Sequence, residues 1–164
     1  MNKKIFPIIL LLFSTSAFSY GIHTNLNLEW MKENHRLIEM DLKNRKTNEI
    51  IKDLNTLTNI WIERDGAVSG EVSPLLIIAI EKHTDFTLSI LSSHPRSFNK
   101  WLNELEGIVF TDFNGDQKEK LLKMKKSLSD SLVIYLQSEP SESLKPFALE
   151  LLKKTNEISV SQIN

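Results

Sequence analysis

The run Ser73-Pro74-Leu75-Leu76-Ile77-Ile78-Ala79-Ile80 is the stretch on which the fold turns. Leu75 to Ile80 is apolar on every face, so it is either a central helix or a buried β-strand. Ser73-Pro74 favours the helix. Serine can accept a bond from an early helical N–H, and proline at the first helical position lacks only an N–H that would have no partner there. A strand would need partners, and only Ile108 to Thr111 and Ile158 to Ile163 have the composition to supply them. The helix is adopted, and Leu75 to Ile80 becomes the centre of the domain.

Toward the N-terminus, apolar residues recur at helical spacing. A first helix is expected over Leu26 to Leu42, with Trp30, Met31, Leu37, Ile38 and Leu42 inward and the pairs Glu39/Lys43 and Asp41/Arg45 on the wet side. A second, capped by Thr47 or Asn48, carries Ile50, Ile51, Leu54, Leu57 and Trp61 and ends at Asp65-Gly66. Residues 66–73 hold two glycines and two serines and read as a flexible connection.

Toward the C-terminus, Thr84-Asp85 opens a short helix through Phe86, Leu88, Ile90 and Leu91. Ser93-His94-Pro95 opens another through Phe98, Trp101, Leu102 and Leu105, closed by Gly107. After an apolar connection at Ile108 to Phe110 and a turn at Asn114-Gly115, Asp116 and Glu119 have capping-box spacing for a long helix over Gln117 to Gln137. Its buried stripe is Leu121, Met124, Leu128, Leu132 and Tyr135. Glu139-Pro140 stops it, and a last helix entered near Ser143 to Pro146 carries Phe147, Leu149, Leu151 and Leu152. The polar tail after Glu157 is expected to fray. These breakers fall between periodic segments, as a cooperative fold requires. The fold class is all-α, an irregular helical bundle of about six to seven short helices. A short solenoid-like stack of α-hairpins is the alternative, although no repeat of fixed period is present.

The first 19 residues read as an export signal. Lys3 and Lys4 form a positive start, Ile5 to Phe13 is a short apolar run, and Ala17-Phe18-Ser19 offers small residues for cleavage before Tyr20. The run is broken by Pro7 and is well short of the roughly 20 apolar residues that span a membrane. A stable anchor is therefore not expected once the signal is cut. Residues 20–164 would then form a single periplasmic or secreted domain. Losing Lys3 and Lys4 takes the 20 basic residues of the chain to 18 against 21 acidic ones, a formal charge of −3. That balance provides no basic footprint for nucleic acid.

The chain has no cysteine, which excludes disulfides, thiolate metal ligands and a thiol nucleophile. Gly66-Ala67-Val68-Ser69-Gly70 lacks the spacing of a nucleophile elbow, and no glycine-rich phosphate loop occurs. His83, Asp85 and His94 could converge only through the fold, since none shares metal-ligand spacing with another. Asp112-Phe113-Asn114-Gly115-Asp116 starts like a calcium loop, but Gln117 and Lys123 stand where glycine and glutamate are needed. Lys118, Lys120, Lys123, Lys125 and Lys126 form the basic face of an amphipathic helix. No catalytic, cofactor-binding or metal-ligating residue is assigned, and no cofactor is expected. The candidate interaction surface is His94, Arg96, Phe98, Lys100 and Trp101, where tryptophan and arginine offer interface chemistry. The expected function is that of an exported helical protein that binds another protein, as an inhibitor, immunity factor or assembly adaptor does. A small hydrolase whose residues converge in the fold and a carrier of an apolar ligand are the alternatives.

Overall fold

The protein is seen in a computed structural model that describes residues 16–163, with side chains described from Leu26 onward. The expected signal and its apolar run therefore lie outside the described residues except for 16–19. Among the described residues there are six α-helices: α1 Ser16–Asn44, α2 Ile51–Glu63, α3 Gly66–Ser92, α4 Pro95–Glu104, α5 Lys118–Gln137 and α6 Lys145–Glu157. A 3-10 turn, Thr47–Glu49, leads into α2, and a π-helical turn, Leu105–Val109, follows α4. Two short strands, β1 Thr111–Asp112 and β2 Ser161–Gln162, pair in parallel. The fold is an all-α helical bundle.

Leu75 to Ile80 is helical and, apart from a partly buried Ile78, fully buried. Helix α3 is accordingly the axis of the molecule, packed against α1, α2, α4 and α5. Met31, Ile38 and Leu42 of α1 and Leu54, Leu57 and Trp61 of α2 enter the same core, with Leu121, Leu128 and Leu132 of α5 on the other side.

Several boundaries differ from expectation. The flexible connection at 66–73 is helix: Asp65 accepts the Val68 N–H at 2.9 Å as the N-cap, and α3 runs through Ser73-Pro74 without a new start. Ser69 and Ser73 are buried there, and their hydroxyls find partners on α4, so the composition that suggested a linker instead supplies interhelical hydrogen bonds. The expected junction at Thr84-Asp85 does exist, as a kink inside α3 where His83 has φ −138° and ψ 46°.

Three residues placed inward by periodicity, Leu37, Ile51 and Leu149, are exposed because the neighbouring helices meet a narrower stripe. The tail after Glu157 is not frayed. Ile158 is buried, and Ser161 and Ile163 N–H groups donate to the Phe110 and Asp112 carbonyls at 3.2 Å. The two stretches weighed as strand partners for Leu75 to Ile80 thus pair with each other.

Candidate functional site

The surface expected on α4 divides in two. Phe98 and Trp101 lie three residues apart on the inner face and are fully buried. Phe98 packs edge-on against Trp101 at 6.2 Å and Phe147 at 5.3 Å. The Trp101 indole N–H donates to the Ser73 hydroxyl at 2.8 Å. Arg96 and Lys100 remain on the outer face, and His94 is half-buried as the residue before α4. Helical periodicity separates the aromatic members from the charged ones, so the set offers no aromatic anchor.

His83, Asp85 and His94 do not converge. The His83 ring bridges the Thr47 hydroxyl and the Leu42 carbonyl, each at 3.0 Å, and so serves one of the last carbonyls of α1. Asp85 accepts the Tyr135 hydroxyl at 2.8 Å, and burial together with that carboxylate pushes the phenol up to about 12. Among the described residues, no group of three or more histidines and carboxylates is placed to hold a metal ion.

In the calcium-like loop, Asp112 turns inward. Its two carboxylate oxygens accept N–H groups of Asn114, Gly115, Gln117 and Lys118 at 2.7–3.2 Å. Burial opposes ionisation, but these four donors outweigh it and hold the carboxyl below its ordinary value. Gly115, at φ 81°, gives the turn a conformation that side chains disfavour. The cap of α5 is therefore Asp112 and not Asp116, and its oxygens are already committed to main chain.

Sequence reasoning missed a buried polar network. The Arg64 side chain is fully buried; its Nε donates to Glu104 at 2.8 Å, and its terminal nitrogens donate to the Trp61 and Ser97 carbonyls. The guanidinium also lies 4.9 Å from the Trp61 ring centre. Burial lowers its pKa, opposed by the Glu104 charge. Glu104 in addition accepts the Ser69 hydroxyl at 2.8 Å, and Lys100 donates to the Arg64 carbonyl at 2.7 Å. Each member closes the end of α2 or ties α3 to α4. Ser69 is sealed from solvent and spends its hydroxyl on Glu104, so it acts as a strut between α3 and α4.

A further feature is an apolar pocket of about 490 Å³ between the first half of α3 and the first half of α5; smaller, more polar hollows of about 340 Å³ lie at Glu150, Lys153, Lys154 and Glu157 and at His94 to Ser97. From α3 come Gly66, Ala67, Gly70 and Pro74; from α5 come Lys120, Leu121 and Met124, with Gln117 just before it. Both sets have helical periodicity, so each helix presents one stripe. Ile108, Val109, Thr111 and Phe113 close the space between them, and Phe113 stands 58% exposed. The proline nitrogen cannot donate to the Gly70 carbonyl one turn earlier, so this turn of α3 has lost one helical hydrogen bond. Among the described residues, Lys120 is the one ionisable residue in the lining. The volume lies within the range of roughly 300–1,000 Å³ typical of small-molecule sites, and the mostly apolar lining is also typical of them. The signal that could have located it is the spacing Gly66, Gly70, Pro74, one small or ring residue per turn on a single face.

No protein-family model, characterised protein or solved structure matches the chain. No helix among the described residues is long and apolar enough to cross a membrane.

Proposed function

We propose that the protein is an exported helical binding protein, and that its ligand is an apolar or amphipathic small molecule held in the pocket between α3 and α5. The pocket carries this reading: it is the size of a ligand site, and its lining is mostly hydrocarbon, with Thr111, Gln117 and the Lys120 ammonium as its polar groups. Acid–base or nucleophilic chemistry would want several ionisable groups converging where a substrate sits, and here the lining supplies Lys120 alone. The export signal expected at residues 1–19 supports a site of action outside the cytoplasm.

Native mass spectrometry of the protein isolated from its own cells, beside a Gly70→Leu variant that fills the pocket, tests the reading. The expected result is a bound mass on the wild type that is missing from the variant. A wild type that carries no adduct and takes up no apolar probe would overturn it. A protein partner is the second reading. It is favoured by Leu26, Leu37 and Met40, which lie more than half exposed along one side of α1. Cross-linking through that face to a stoichiometric protein, with the pocket empty, would establish this second reading in place of the first.

A further inference from the structure

We propose that the pocket selects single-chain amphiphiles bearing one negative charge, with the tail along Gly66, Gly70 and Pro74 and the head group at the Lys120 ammonium. A long-chain carboxylate is the class that fits. The inference rests on the pocket being the ligand site and adds what that ligand must look like.

The floor of the pocket gives the first argument. A Cβ added at Gly70 would stand 3.7 Å from Ile108 Cγ2, and one at Gly66 3.6 Å from Ile108 Cδ1, both ordinary contacts. Alanine would fit at Gly70 and would favour the helix, so packing does not demand glycine there. What glycine leaves is room along the stripe of α3 that lines the pocket, where a chain would meet main chain and the Ile108 side chain.

The rim gives the second. Lys120 is exposed and makes no hydrogen bond or ion pair among the described residues. Glu39 is near enough to feel its charge but does not bond to it. The positive end of α5 is already met by Asp112 through the Gln117 and Lys118 N–H groups. Lys120 is therefore the cation left over at the mouth of an apolar space, and the complementary head group is an anion.

Three probes of equal length, dodecanoate, dodecan-1-ol and dodecyltrimethylammonium, titrated below micellar concentration at low salt, separate the possibilities. Dodecanoate should bind about two- to fivefold tighter than the alcohol, the advantage expected of a part-exposed ion pair, and the ammonium probe should bind weakest. Lys120→Gln, on an exposed helical position, should erase the difference between acid and alcohol. Gly70→Leu should abolish both, with an unchanged circular dichroism spectrum showing that the variant is folded. Equal binding of all three probes, or a preference that survives Lys120→Gln, overturns the head-group inference and leaves the pocket reading standing. If no probe binds, or if Gly70→Leu binds as the wild type does, the pocket reading falls and this inference falls with it.

Discussion

At the scale of single residues, the largest sensitivities lie where a charge has been taken out of water. Arg64 has no exposed side-chain surface, and its Nε pairs with Glu104 at 2.8 Å. Glu104→Ala leaves that guanidinium buried and uncompensated, and should cost about 3–5 kcal/mol in urea unfolding. Glu104→Gln keeps an acceptor for Arg64 and Ser69 and should cost less. Asp112 makes the opposite kind of contribution, since its depressed carboxyl pKa means that the folded state favours the ion. Its stabilisation is complete above the unfolded-chain value of about 4 and is lost as pH falls through the lower folded value. Asp112→Asn should therefore lower the urea midpoint at pH 7, and the gap from wild type should close on acidification below about pH 4. A gap independent of pH would mean that the N–H cluster does not depend on the charge.

At the scale of elements, α3 shows what sequence patterning carries and where it stops. Leu75 to Ile80 announces a central helix because no face of it can be wet, and the kink at His83 follows the Thr84-Asp85 start signal. The turn before was misread because glycine and serine are weighed by local propensity, while their roles here are tertiary. Ser69 and Ser73 bond to Glu104 and Trp101, residues more than 25 positions away. The same limit hid the pocket. No local rule marks Gly70 as a floor, and Lys120 looks like any solvated lysine until Met124, Gln117 and the α3 stripe surround the same space. Trp101 failed as a surface anchor for a related reason, since helical periodicity put it on the inner face and Ser73 supplied a buried acceptor. If Gly70 serves the pocket and not the helix, Gly70→Ala should raise stability by about 0.5–1 kcal/mol, because alanine loses less backbone freedom in a helix and meets only an ordinary contact with Ile108. A thermal melt checks this; a destabilised variant would show that packing does require glycine.

At the scale of the whole molecule, the chain is closed by its last residues. β1 and β2 lie 50 positions apart in sequence, and their pairing brings the C-terminal segment onto the pocket-lining stretch that includes Thr111. Ile158 is buried below them, its carbonyl accepts from Lys125, and the Thr111 and Ser161 hydroxyls meet at 3.0 Å. Deleting residues 158–164 removes one buried isoleucine, worth about 1.5–3 kcal/mol, and several part-exposed hydrogen bonds of lesser individual weight. The loss should total about 2–4 kcal/mol in urea unfolding. Ile158→Ala, which keeps the pairing, should cost less than the deletion by the contribution of β2. In the intact chain, hydrogen exchange should protect the Ser161 and Ile163 amides, which donate to Phe110 and Asp112. Exchange at the unprotected rate, together with a deletion that leaves the midpoint unchanged, would mean that the tail rests on the bundle without closing it. Because Thr111 lines the pocket while it holds Ser161, the deletion should also weaken dodecanoate binding, and Ile158→Ala should weaken it less.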